Sequence, residues 1–83
     1  MALELRFTLH AEEKLSRLSE VGITRDKVIQ IVQRPEKIIT GYSGRKIAQG
    51  QLTDDLLIRV VYEEMDKEVL VITLYPAKRG RYK

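Results

Sequence analysis

The spacing of apolar side chains changes along this chain of 83 residues, and the change divides it into two parts. Up to Pro35 the apolar positions recur every three to four residues, which is typical of helices with one buried face. After Pro35 they recur every second residue, which is typical of half-buried strands. One short alternating stretch, LELRF, precedes the first helix and predicts a first strand.

The first helix is predicted to begin after Thr8, because threonine is a favoured N-cap residue. Ala11, Leu15 and Leu18 recur at helical spacing and predict its buried stripe. Gly22 is expected to end it.

The second helix is predicted to begin after Thr24, with Ile23 and Val28 forming a hydrophobic staple across its first turn. Its buried face is predicted to contain Val28, Ile31 and Val32. Pro35 forbids continuation of the helix and moves the residue before it out of helical geometry.

Four strands are predicted after Pro35, in KIITGY, KIAQGQL, LLIRVVYEE and EVLVITLY, and the last is expected to end at Tyr75 and Pro76. The connections SGR, TDD and MDK are short, which favours antiparallel neighbours. The predicted fold class is therefore α+β: a short N-terminal strand, two helices, then a four-stranded antiparallel meander. We expect one domain over residues 1–83, with both helices on one sheet face and the other face partly open.

The amino-acid composition excludes several kinds of functional site. The chain has no cysteine and one histidine, which excludes disulfides, thiolate chemistry and a histidine-rich metal site. No motif for a metal or an organic cofactor is present, so none is predicted. The N-terminus lacks the pattern of a signal peptide, and no apolar stretch approaches bilayer length. We therefore expect a cytoplasmic protein that does not insert into membranes.

Arg59 is the first candidate site residue, because it lies between Ile58 and Val60 in the most apolar predicted strand. A buried charge requires a partner or a solvated groove. One interpretation is an ion pair with Glu63 or Glu68, or simple exposure on the open sheet face. The other is that Arg59 binds a phosphate with its planar guanidinium group.

The chain ends in a basic segment that follows the last predicted strand, EVLVITLY. In a meander this strand lies beside the one that contains Arg59. Four cations fall in the final six residues, where a solvated tail is the simpler interpretation. Cations that converge on one place bind phosphates. The candidates for such a surface are Lys78, Arg79, Arg81, Tyr82 and Lys83, joined by Arg45 and Lys46 after the first turn of the meander.

His10 is the one side chain whose ordinary pKa is near neutral. It shares a face of the first helix with Lys14 and Arg17. His10 is a candidate general base or phosphate contact, and Lys14 a candidate substrate contact. The alternative is that His10 caps the first turn of the helix or forms a hydrogen bond to a nearby strand.

The C-terminal half resembles RelE/ParE-type toxins, in which an arginine-bearing strand of the form R-x-V-Y precedes a turn, an apolar strand and a basic segment with a late tyrosine. Arg59 matches the strand arginine, Arg79 or Arg81 the later arginine, Tyr82 the tyrosine, and Lys46 the lysine of an upstream strand. The resemblance implies the fold, and either a ribonuclease or, as in ParE-like relatives, a protein that acts on DNA gyrase.

Nearly the whole chain also resembles a family of small domains of unknown function. His10-Ala11, Gly22-Ile23-Thr24, Pro35-Glu36 and Thr73-Leu74-Tyr75-Pro76 carry this resemblance, in that order. Lys14 differs from this family, whose members usually have arginine at the corresponding position.

Three functions follow as hypotheses. The first is a RelE-like, metal-independent endoribonuclease toxin. Its partners would be an antitoxin protein and RNA or the ribosome. Arg59 and Arg79 or Arg81 would stabilise the phosphate, and Tyr82 would stack on a base or share in proton transfer. The second is a non-catalytic module of the toxin fold that binds a protein or a nucleic acid. The third is a plain interaction domain with no nucleic-acid role. The small number of lysines in the RelE-like half favours the second.

Overall fold

The structure, a computed structural model, describes residues 4–41 and 44–78. Its elements, in chain order, are β1 (Glu4–Phe7), α1 (Leu9–Leu18), α2 (Arg25–Gln33), β2 (Lys37–Thr40), β3 (Lys46–Gln51), β4 (Leu56–Met65) and β5 (Glu68–Lys78), with a 3-10 turn over Ser19–Val21 between the helices. The predicted α+β class is confirmed.

The five strands form one mixed sheet in the order β1-β5-β4-β3-β2. Strands β2 to β5 pair antiparallel with their chain neighbours, as the short connections predicted, and β4 lies beside β5. Strand β1 pairs with β5 in parallel, so the sheet is wider than the predicted meander. A parallel neighbour is possible because both helices lie between β1 and the rest of the sheet in sequence.

Strand β5 continues to Lys78, so the prediction that Tyr75 and Pro76 end it was wrong. The reason is its position in the sheet. Strand β1 pairs only with Glu68 to Val71, and no described strand pairs with that side of β5 further along. Proline lacks the N–H that an inner strand must donate, but it is tolerated where one side of a strand has no neighbour.

The predicted starts of both helices are confirmed, as is the end of α2 before Pro35. The hydroxyl groups of Thr8 and Thr24 accept the backbone N–H groups of Ala11 and Lys27, as N-caps do.

The prediction that Gly22 ends the first helix was wrong, because α1 ends at Leu18 and a 3-10 turn follows it. Gly22 has a φ of 92°, a left-handed conformation that glycine adopts without steric cost, and it ends the 3-10 turn after α1.

Both helices pack on one face of the sheet. Helix α1 contacts β5, and α2 contacts β3 and β4. The predicted core residues take part: Leu15, Val28 and Ile31 are buried, and Leu18 and Val32 are partly buried against them. On the sheet this core comprises Ala48, Ile58, Val60, Tyr62, Val69, Val71 and Leu74.

A β-bulge interrupts the pairing of β4 with β5. Tyr62 is opposite Val71, but Val61 is opposite Thr73, so Ile72 is an extra residue. The Thr8 hydroxyl donates to the Ile72 carbonyl oxygen at 2.9 Å while it also caps α1. One side chain therefore connects the start of α1 to the irregular point of the sheet.

We expect Thr8→Ala to lower the free energy of unfolding by about 1–3 kcal/mol, because it removes both the helix cap and the partner of the Ile72 carbonyl. Thr8→Ser keeps the hydroxyl and is the matched control. Urea unfolding followed by circular dichroism measures the difference. Equal losses for the two variants would show that the hydroxyl bonds contribute nothing.

Candidate functional site

The sheet has two different faces. Ala48, Ile58, Val60 and Leu74 point toward the helices and belong to the core. Because side chains alternate along a strand, the residues between them point to the opposite side, which we call the open face. In the middle strands the open face carries Ile47, Gln49, Leu57, Arg59, Val61, Thr73, Tyr75 and Ala77.

Arg59 lies half-buried near the middle of the open face, on a strand with neighbours on both sides. Its Nε donates to Oε1 of Gln49 at 3.0 Å. The carboxylates considered above as its partners bind other arginines: Glu63 lies 3.0 Å from Arg45 and Glu68 lies 3.7 Å from Arg6. Arg59 is thus held laterally by a neutral amide on the next strand.

Four polar or aromatic residues form a row across the open face. Arg59 is directly opposite Tyr75 on β5 and Gln49 on β3, and Gln49 is opposite Lys37 on β2. We call Lys37, Gln49, Arg59 and Tyr75 the Arg59 row. Adjacent strands are about 4.8 Å apart, so the row extends about 14 Å. Of these four residues, Arg59 is the one that the sequence pattern predicts as a site residue.

Apolar side chains border this row on both sides. Ile47 and Val61 flank it in one direction, and both are half-buried. Leu57 lies in the other direction and is 2% exposed. Arg59 is therefore bordered along its strand by apolar groups, which screen a charge less than water does and so favour its interaction with an anion.

Arg45 and Lys46 do not extend the row. Arg45 is on the open face but binds Glu63, about four residues along the strands from Arg59. Lys46 is opposite Tyr62, on the helix-covered face, and its Nζ lies 2.6 Å from Oε1 of Glu64. This hydrogen bond, together with the charge of Glu64, raises the pKa of Lys46. Both predicted phosphate contacts are thus already paired with carboxylates.

The remaining described candidates are also apart from Arg59. Lys78 is the exposed last residue of β5 and is opposite Leu56, on the side of the sheet that faces the helices. His10 and Lys14 lie on α1, in the helix layer. Among the described candidates, Arg45 is the one that shares the open face with Arg59.

Three predicted site residues, Arg79, Arg81 and Tyr82, lie outside the described residues, as does Lys83. Within residues 4–41 and 44–78 no group of histidine and carboxylate side chains is arranged to hold a metal ion. Neither described helix has the length and apolar character needed to cross a membrane.

The Arg59 row presents groups that suit a nucleic-acid strand. A guanidinium group binds phosphate oxygens with two parallel hydrogen bonds. A tyrosine ring stacks on bases, and a glutamine amide both donates and accepts. These groups are spread over the whole length of the row, about 14 Å.

Comparison with known proteins supports the fold. The solution structure of the conserved hypothetical protein HP0894 from Helicobacter pylori is similar, with a TM-score of 0.50 and 17% sequence identity. The match covers 94% of this chain and 96% of that chain. At this identity it is evidence of a common fold. No curated protein matches the chain.

The sequence itself matches a defined protein family. Residues 7–76 match the family described as a domain of unknown function, DUF4258. The matched region contains both helices, β2 to β4 and most of β5, together with the whole Arg59 row. It extends over most of the 83 residues, so the chain belongs to the DUF4258 family.

Proposed function

We propose that this chain is a RelE-type toxin domain that binds RNA on its open face and cleaves it without a metal ion. The observation that supports the proposal most is the position of Arg59: a cation near the middle of the open face, bordered by apolar side chains and held by Gln49. The resemblance of the C-terminal half to RelE/ParE-type toxins gives the reaction class.

In this reaction the RNA 2′-hydroxyl attacks the adjacent phosphorus. The new O2′–P bond forms as the P–O5′ bond breaks, which leaves a 2′,3′-cyclic phosphate and a 5′-hydroxyl. A general base takes the proton of the 2′-hydroxyl, and the leaving 5′ oxygen takes up a proton. Because the attacking group belongs to the substrate, the protein mainly orients it and stabilises the additional negative charge.

Arg59 is proposed to stabilise the charge that develops on the phosphate oxygens. Arg79 or Arg81 would add a second cation, and Tyr82 would stack on a base or take part in proton transfer. His10 lies in the helix layer, so we do not assign it to the chemistry on the open face.

A second candidate function is RNA binding without cleavage. The position of His10 favours it, because the chain's one imidazole is in the helix layer and Arg59 is on the opposite face. Cleavage decides between these two functions, and binding at low salt decides whether either of them is correct.

The test of cleavage uses a labelled single-stranded RNA, an excess of EDTA, and detection of 2′,3′-cyclic phosphate ends. We expect wild-type cleavage and a loss of about 100-fold in Arg59→Ala, the effect of removing one donor to a developing oxyanion. Arg17→Ala, an exposed arginine on α1, is the control with the same charge change.

Fluorescence anisotropy over a range of salt concentrations gives the binding result. Arg59→Ala should weaken binding and reduce the salt slope by about one unit. A chain ending at Lys78 keeps all of β5 but lacks Arg79, Arg81, Tyr82 and Lys83, and it should also show a shallower slope. Binding without cleavage identifies the second function. No wild-type binding at low salt overturns both.

A further inference from the structure

The geometry on either side of Arg59 is specific enough to indicate which form of RNA the site accepts. Gln49 lies opposite Arg59 on one neighbouring strand and Tyr75 on the other. All three side chains are half-buried. Any ligand phosphate at Arg59 therefore lies next to both an amide and an aromatic ring.

Gln49 restricts the orientation of the Arg59 guanidinium group. Its Oε1 accepts the Arg59 Nε–H at 3.0 Å. The five N–H donors of a guanidinium group lie in one plane, so a bond at Nε limits the directions in which the others point. An arginine held in this way loses less side-chain freedom when it binds a phosphate.

Tyr75 lies where β5 has lost its outer neighbour. Strand β1 pairs with β5 no further than Val71, and the chain then turns into α1 after Thr8. The outer side of β5 at Tyr75 is thus unpaired within the described residues. No described strand therefore places a side chain beside the Tyr75 ring on that side, which leaves room for a flat ligand next to it.

We propose that the Arg59 row selects an unpaired nucleotide: Tyr75 stacks on its base, and Gln49 positions Arg59 on its phosphate. This inference rests on the proposed RNA-binding function. A base in a duplex is stacked on both faces, so it cannot offer a face to Tyr75 unless it leaves the helix. Gln49 is a positioning residue here, because it acts through Arg59.

The first experiment measures the affinity for an eight-nucleotide RNA, alone and annealed to its complement. We expect the wild type to bind the single strand at least about tenfold more tightly than the duplex. Tyr75→Ala should lower the single-strand affinity by about tenfold, because base stacking on an aromatic ring is lost. Tyr75→Phe keeps the ring and should stay close to the wild type.

The second experiment tests, in the absence of RNA, whether Gln49 orients Arg59. The Arg59 Nε–H gives its own signal in a ¹H–¹⁵N spectrum, and its hydrogen bond should slow exchange with water. In Gln49→Ala we expect that signal to broaden or disappear. Gln49→Glu keeps an acceptor and should preserve the signal, yet it should weaken RNA binding because it adds a negative charge beside Arg59.

The outcomes distinguish this inference from the proposed function. If Arg59→Ala abolishes binding but Tyr75→Ala does not change it, or if the duplex binds as tightly as the single strand, selection of an unpaired nucleotide is wrong and RNA binding stands. An unchanged Nε–H signal in Gln49→Ala overturns the positioning role. If the wild type binds neither RNA, the proposed function fails and this inference fails with it.

Discussion

Ile31→Ala should lower the free energy of unfolding by about 2–5 kcal/mol. Ile31 is 4% exposed on the face of α2 that packs on β3. Removal of its three outer carbon atoms leaves a cavity that rigid neighbours on the sheet cannot fill. A domain of this size is stable by only about 4–12 kcal/mol, so the loss is a large part of the total.

Ile38→Ala is the matched control, because it makes the same chemical change at a side chain that is 51% exposed. We expect it to cost less than about 1 kcal/mol. Urea unfolding of the two variants gives the comparison. If Ile31→Ala costs no more than Ile38→Ala, α2 does not bury the face described above.

Gly50→Ala should destabilise the protein by about 1–3 kcal/mol. A Cβ at position 50 would lie 2.7 Å from Cγ1 of Ile31 and 3.1 Å from its Cγ2, closer than side chains pack. Position 50 has no positive φ, so alanine in place of glycine would otherwise stabilise the strand by about 0.5–1 kcal/mol. The steric conflict is larger than this gain.

The double variant Ile31→Ala, Gly50→Ala tests the cause. The alanine side chain at position 50 would then enter space that Ile31 had filled. We expect the double variant to be more stable than the sum of the single losses predicts, with a coupling of about 0.5–3 kcal/mol. If the two losses of stability are additive, contact with Ile31 does not explain why position 50 requires glycine.

Much of the fold could be predicted because its signals are local. Thr8 and Thr24 each precede an apolar helical stripe, and the short loops allow the later strands only antiparallel neighbours. The pairing of β1 with β5 is different, because it joins residues 64 positions apart. No feature near residues 4–7 indicates that partner, so it could not be predicted from the sequence.

The candidate site was harder to predict than the fold, and the reason is the bulge. Counting back from the hairpin, where Met65 is opposite Glu68, places Arg59 opposite Leu74. The extra residue moves the partner to Tyr75. Leu70, Ile72 and Leu74 are all apolar, so the alternation of β5 does not show where the register shifts. The neighbours of Arg59 therefore could not be identified by counting.

The bulge also determines how this sheet tolerates changes in chain length. If Ile72 were deleted, Val71 and Thr73 would become consecutive, yet they would keep Tyr62 and Val61 as their partners. Leu74 would still face the helices and Tyr75 would still lie opposite Arg59. A deletion of one residue at this position would therefore preserve both faces of β5 and leave Thr8 with its role as a helix cap alone.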